Sequence, residues 1–293
     1  MTILNTSDGT DLHYLTRDAE NPSGATVIFL HGWCSNALEW LPFAESLPQQ
    51  QRAICWNARG HGSAKITEEA PVSLQRMAED LHELIAKEAP QGAVVVAHSM
   101  GALTVWRYIQ SYGCEQIKGL VIIDQSPKLL TDDQWQHGVF GKFEQADNQQ
   151  FCQQLDHDFA DAVIRLICGR LKDASDSLPD SKYFQRLREY LGLLPGPKLT
   201  ECWQSLCDAD LRSVMAMITS PTLLLYGDRS QFYGPELAGW VHRQINGSQL
   251  IRYSEADHSP HIAERERFIS DLNSFTNQIS GNLNIQSESL AIG

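Results

Sequence analysis

The chain has 293 residues, 42% of them apolar, and a formal net charge of −13 from 23 basic and 36 acidic side chains. That length allows one large domain or two small ones with a sizeable core. The acidic balance speaks against nucleic acid or an anionic membrane as a partner, and no stretch approaches the ~20 apolar residues of a membrane span.

The first eight residues lack a basic head and an apolar core, so no secretory signal is expected there. The seven cysteines are odd in number and without C-x-x-C spacing, which fits reduced thiols rather than disulfides or a zinc site. The expected setting is cytoplasmic, with a small-molecule substrate and neither cofactor nor metal. The oligomeric state is not legible.

In chain order, the pattern predicts strands over 12–16, 25–30 and 52–56, with helical spacing of Trp40, Phe43, Ala44 and Leu47 between the last two. Ser73 is placed to cap a helix running through Lys87, with Leu74, Met77, Ala78, Leu81, Leu84 and Ile85 on its inner face. A buried strand at 93–96 and another at 117–123 flank a helical run from Ala102. Such alternation implies an α/β protein, a mostly parallel sheet with helices on both faces.

The pattern breaks over 128–220, which is polar, helix-like and studded with aromatics. We expect a helical cap over the C-terminal ends of the strands, where open α/β sheets bind ligands; most of its aromatics should pack the cap itself. Strands resume at 222–226 and 249–253, and a helix is expected from about 263 to 278. The polar tail at 280–293 shows no periodicity and is expected to fray. The core would thus comprise 1–127 and 221–279.

Ala97-His98-Ser99-Met100-Gly101 is the most informative stretch. A serine between a buried strand and a helix sits on a strained turn with its hydroxyl raised above the sheet. Only small residues fit two positions either side, here Ala97 and Gly101. The plainer alternative is that Ser99 merely caps the helix. A serine nucleophile needs a base, and His258, a short loop after the last strand, stands where the order serine, acid, histidine would put it. His261 is its neighbour but should begin the next helix and point away. Two N–H donors must hold the negative charge of a tetrahedral intermediate. We expect them from Met100 and, beside Gly32, from Trp33; His31 is read as a structural loop residue.

These motifs, Leu30-His31-Gly32-Trp33, Asn57-Ala58-Arg59-Gly60-His61-Gly62-Ser63, the Ser99 pentapeptide and Asp257-His258-Ser259-Pro260, resemble the α/β-hydrolase superfamily over nearly the whole chain. The resemblance implies an α/β-hydrolase fold with a cap inserted after the sixth strand, and a structural turn at Arg59. Family members commonly carry the acid at the end of a Gly-x-x-Asp turn, but here that turn reads Gly227-Asp228-Arg229-Ser230. Some members place the acid one strand earlier, which points to Asp124. Asp228 is the alternative, followed by Glu255 and Asp257, the latter awkwardly adjacent to His258. The acid would fix the histidine tautomer and stabilise the imidazolium.

The implied activity is hydrolysis of a carboxylic ester or related acyl compound, with acyl transfer or perhydrolysis using the same residues. The alternative is a cofactor-free ring-opening dioxygenase of 3-hydroxy-4-quinolones. The chain is similar to that group in Gly32-Trp33-Cys34, Asn57 and His98-Ser99; there the histidine–aspartate pair serves as base and the serine is accessory. A scaffold role would require a broken triad, and Ser99 and His258 are both present.

Overall fold

A computed structural model describes residues 1–20, 24–62, 66–169 and 181–291, with side chains described through 281. Ser63 of the Arg59 motif and 170–180 of the expected cap lie outside the described residues. The strands are β1 (Thr2–Asn5), β2 (Asp11–Arg17), β3 (Thr26–Leu30), β4 (Ala53–Trp56), β5 (Ala93–His98), β6 (Ile117–Ile123), β7 (Thr222–Gly227) and β8 (Gln249–Tyr253). They form one sheet in the order β1-β2-β4-β3-β5-β6-β7-β8. The first two strands join antiparallel and the rest run parallel.

The helices are α1 (Leu41–Ser46), α2 (Leu74–Glu88), α3 (Met100–Tyr112), α4 (Gln145–His157), α5 (Phe159–Ile167), α6 (Lys182–Gly192), α7 (Gly196–Cys207), α8 (Glu236–Gln244), α9 (Pro260–Ala263) and α10 (Arg265–Ala291). The sheet divides the apolar interior in two. On β3, Val27 and Phe29 join one cluster with α1 and α10, while Ile28 and Leu30 join the other with α2, α3 and α8. β5 splits in the same way, Val94 and Val96 against Val95 and Ala97. This is the two-residue period of a strand covered on both faces.

Between β6 and β7 the chain forms α4 to α7. Trp135, Phe143 and Phe151 of this segment are buried, and Trp203, packed on Phe151, donates from Nε1 to Asn148 Oδ1 at 2.8 Å. Ser73 caps α2 by accepting from the Arg76 N–H at 3.2 Å.

Three features differ from the sequence reading. β1 lies outside the expected strands, because it is an edge strand with Leu4 as its one buried side chain. α8 is likewise additional; Leu237, Ala238 and Val241 are its inward residues. α10 runs as helix to Ala291, past the expected end near 278. Phe268, Leu272, Phe275 and Ile279 form a buried stripe at helical spacing along it. Gln51 Nε2 donates to Ser280 Oγ at 3.1 Å, tying the helix down beyond the expected end near 278.

Candidate active site

The four parallel strands β5, β6, β7 and β8 are consecutive neighbours, so residues that follow them meet at one sheet rim. Ser99 joins β5 to α3 at φ 52° and ψ −119°, a strained conformation for a residue with a side chain. Its surroundings enforce it. A Cβ on Gly101 would stand 2.6 Å from the Leu30 carbonyl oxygen, and Ala97 is fully buried. A side chain is therefore excluded at Gly101, as the motif implied.

Asp124 follows β6, also at positive φ, 44°. Its carboxylate is buried and accepts from three donors: His258 Nδ1 at 2.6 Å, Ser230 Oγ at 2.7 Å and the Gly227 N–H at 3.1 Å. His258, in the loop after β8, is held further by its main-chain N–H, which donates to Gln231 Oε1 at 3.2 Å. Phe232 packs edge-on against its ring at 4.5 Å. Burial lowers the proton affinity of His258 below the ordinary histidine value, while the Asp124 hydrogen bond works in the opposite direction. The imidazole is thus neutral near pH 7, with Nδ1–H fixed on Asp124 and the lone pair on Nε2.

Gly32, Trp33, Cys34 and Ser35 form a turn closed by the Ser35 N–H on the Gly32 carbonyl at 3.1 Å, with Cys34 at φ 63°. A Cβ on Gly32 would lie 3.2 Å from His98 Nδ1 and 3.3 Å from Ser99 Cβ, so this turn rests directly on the serine. The Trp33 indole donates to the Leu199 carbonyl at 3.1 Å and packs on Trp203 at 4.9 Å. Met100 is the first residue of α3, a position whose N–H has no acceptor within its own helix.

Trp33, Ser99, Met100 and His258 all line a single cavity of about 310 Å³. Its walls are largely apolar, with Val163, Leu187, Tyr190 and Trp203 contributed by the helices between β6 and β7, and Leu103 and Phe232 by the rest of the chain.

The other acids lie elsewhere. Asp228 accepts from Arg252 Nε at 2.6 Å, Glu255 pairs with Arg229, and Asp257 accepts the Ser259 N–H at 2.8 Å. His31 is a loop brace: Nδ1 donates to the Gly32 carbonyl at 2.7 Å and Nε2 accepts the Ala58 N–H at 3.1 Å. Arg59 is fully buried and forks onto Asp80 at 2.6 and 2.7 Å, which is a structural use. His261 begins α9 as expected, but it is buried and donates to Glu39 Oε1 at 2.9 Å.

Sequence reasoning missed Ser230 as a donor to Asp124, Gln231 as a holder of His258, and the pair Glu39 and His98. The signal for Glu39 was present, since it falls three residues after Asn36, the cap of a short helical turn. Its side chain turns inward instead. Among the described residues, Glu39, His98 and His261 bring three atoms of metal-ligand type within 4.8 Å of one another.

Comparisons with known proteins agree with this architecture. The chain is 28% identical over 269 residues to a pimeloyl-[acyl-carrier protein] methyl ester esterase of Vibrio vulnificus, covering 91% of this chain and 98% of that protein. It is 24% identical over 258 residues to the protein of the same name from Nitrosospira multiformis, covering 85% and 93%. Among solved structures, an esterase from Exiguobacterium antarcticum superposes with a TM-score of 0.80 at 22% identity, covering 94% of this chain and 99% of that one. An enol-lactonase from Burkholderia xenovorans gives 0.73 at 16%, covering 94% and 100%. A family model of the alpha/beta hydrolase fold matches residues 25–264, and the chain belongs to that family.

Proposed function

We propose that this protein is a serine esterase acting on uncharged carboxylic esters through an acyl-enzyme. The observation that carries the reading is the buried 2.6 Å bond between Asp124 and His258 beside the cavity that Ser99 lines. Ser99 Oγ attacks the ester carbonyl carbon while His258 Nε2 takes its proton. Asp124 holds the ring and stabilises the imidazolium that forms. The main-chain N–H groups of Trp33 and Met100 donate to the developing oxyanion. The alcohol leaves with the proton from His258, and water then releases the acid by the same steps in reverse roles. The helices between β6 and β7 serve as a cap that walls the cavity on its outer side.

The cavity supports a neutral substrate. Its walls are apolar, and among the described lining residues the carboxylate of Glu39 is present while no Lys or Arg is. An acyl chain ending in a free carboxylate would lose hydration, meet the Glu39 carboxylate and find no Lys or Arg to pair with. The relatives named for a methyl ester on an acyl-carrier protein support adding such esters to any substrate panel.

The test is a panel of aryl and methyl esters run beside an oxygen electrode with a 3-hydroxy-4-quinolone. Turnover is expected with uncharged acyl chains, at least tenfold weaker when the chain ends in a carboxylate, and oxygen uptake is expected to be absent. Oxygen uptake without ester turnover would replace the esterase reading with the dioxygenase one.

A further inference from the structure

Beside the serine, with Glu39 and His98 on the wall of the same cavity, lies a polar cluster that the proposed reaction does not use directly. Glu39, with its side chain 12% exposed, faces His98 and His261, both buried. Its Oε1 accepts from His261 Nε2 at 2.9 Å and its Oε2 from the Ser35 hydroxyl. The His261 ring stacks on Trp40 at 4.8 Å, which fixes its direction.

His98 is the residue before Ser99. Its Nε2 meets the main-chain carbonyl oxygen of His258 at 2.9 Å. A carbonyl only accepts, so Nε2 carries a proton. The other ring nitrogen, Nδ1, stands 3.6 Å from Glu39 Oε1 with no hydrogen-bond partner. A lone pair on Nδ1 would face a buried carboxylate and repel it, whereas a second N–H converts the contact into an ion pair.

We propose that Glu39 holds His98 as a buried imidazolium that clamps the main chain of His258, making Glu39 and His98 positioning residues for the base. The proposal rests on the reading of His258 as that base.

The energetics point the same way. Burial alone would lower His98, but the Glu39 carboxylate overrides it and leaves the group above its ordinary value. Burial alone would raise Glu39, and the two histidines hold it well below the carboxylate range instead. His261 is kept neutral by burial, at about 4, so it serves as a plain donor. The cation has a second effect, because the His98 and His258 rings lie 4.8 Å apart. The other charged or titratable groups around His258 are Asp124 from the end of β6, Tyr233 packed against its ring at 5.8 Å, Asp257 on its own loop, and Glu39 and His261 beside His98. Removing the Glu39 charge discharges His98 and leaves His258 easier to protonate.

The experiment compares wild type with Glu39→Gln and Glu39→Asp by nitrogen NMR of ¹⁵N-histidine protein, the His98 signal being assigned by its loss in His98→Gln. In wild type at pH 7, His98 should carry protons on both nitrogens, and in Glu39→Gln on one. The acidic limb of kcat/KM should move up by about one pH unit in Glu39→Gln, as expected for loss of a nearby cation. There kcat should fall about tenfold with KM unchanged, and Glu39→Asp should restore part of both. A singly protonated His98 in wild type, or a Glu39→Gln profile that superimposes on wild type, overturns the proposal. The NMR readout needs no turnover, so failure of the esterase reading and failure of this one are told apart.

Discussion

The Ser230 hydroxyl donates to Asp124 Oδ2 across 2.7 Å, from the turn after β7 to the end of β6. Ser230 stands where the family resemblance would put an acid, and the proposed acid, Asp124, meets His258 from the end of the neighbouring strand. The two positions share one polar pocket. Asp124→Asn should lower kcat by about 10³–10⁴, since the ring loses both its tautomer and its counter-charge. Adding Ser230→Asp to that variant should return at least tenfold, and Ser230→Ala alone should cost only about fivefold, the worth of one hydrogen bond. Steady-state kinetics on one aryl ester decides it; no recovery in the double variant would mean that the acid position is not interchangeable.

Asp228→Asn should leave kcat/KM within about threefold of wild type. Its carboxylate is engaged with Arg252 at a partly exposed site, and an exposed pair contributes about 1 kcal/mol or less. A loss comparable to that of Asp124→Asn would move the acid to this strand.

Gly32→Ala should reduce kcat by about a hundredfold while shifting the thermal midpoint little. The added methyl would press on His98 and Ser99 at 3.2 and 3.3 Å, displacing the turn that presents the Trp33 N–H. Loss of one oxyanion donor typically costs ~10²–10³ in rate. An unchanged kcat would show that this N–H has no part in the reaction.

Much of the fold was legible because its strands are short apolar runs and its inner helices keep strict spacing; β5 and α2 are cases in point. The ends were not. β1 buries only Leu4, too little apolar signal to register, and the far end of α10 is held by Ile279 and by Gln51, which is distant in sequence. At the site, Ser99 and His258 announced themselves through local motifs. Asp124 came into view through the missing acid at position 230 together with the resemblance to family members that place the acid one strand earlier. The contacts of Ser230, Gln231 and His98 join the ends of different strands, which no local pattern encodes.

Acid should destabilise the protein. Burial holds His31 at about 4, His61 at about 3 and His261 at about 4, against 6.5 for an ordinary histidine. These groups stay neutral in the fold and bind protons on unfolding, so their contribution is complete above pH 6.5 and is lost as pH falls towards 4. A pKa lowered by one pH unit corresponds to about 1.4 kcal/mol, so several kcal/mol should vanish between about pH 7 and pH 4.5. His98 works in the opposite direction and offsets part of this. Urea midpoints measured across that range should fall steadily; a flat profile would contradict the neutral state of these histidines.

The most direct measurement is labelling with a serine-directed fluorophosphonate, read by peptide mass spectrometry alongside ester turnover. One phosphonyl group per chain is expected on Ser99, with activity lost in step, and Ser99→Ala should neither be labelled nor turn over ester. Full turnover by Ser99→Ala, or labelling at another residue that tracks the loss of activity, would contradict the assignment of Ser99 as nucleophile.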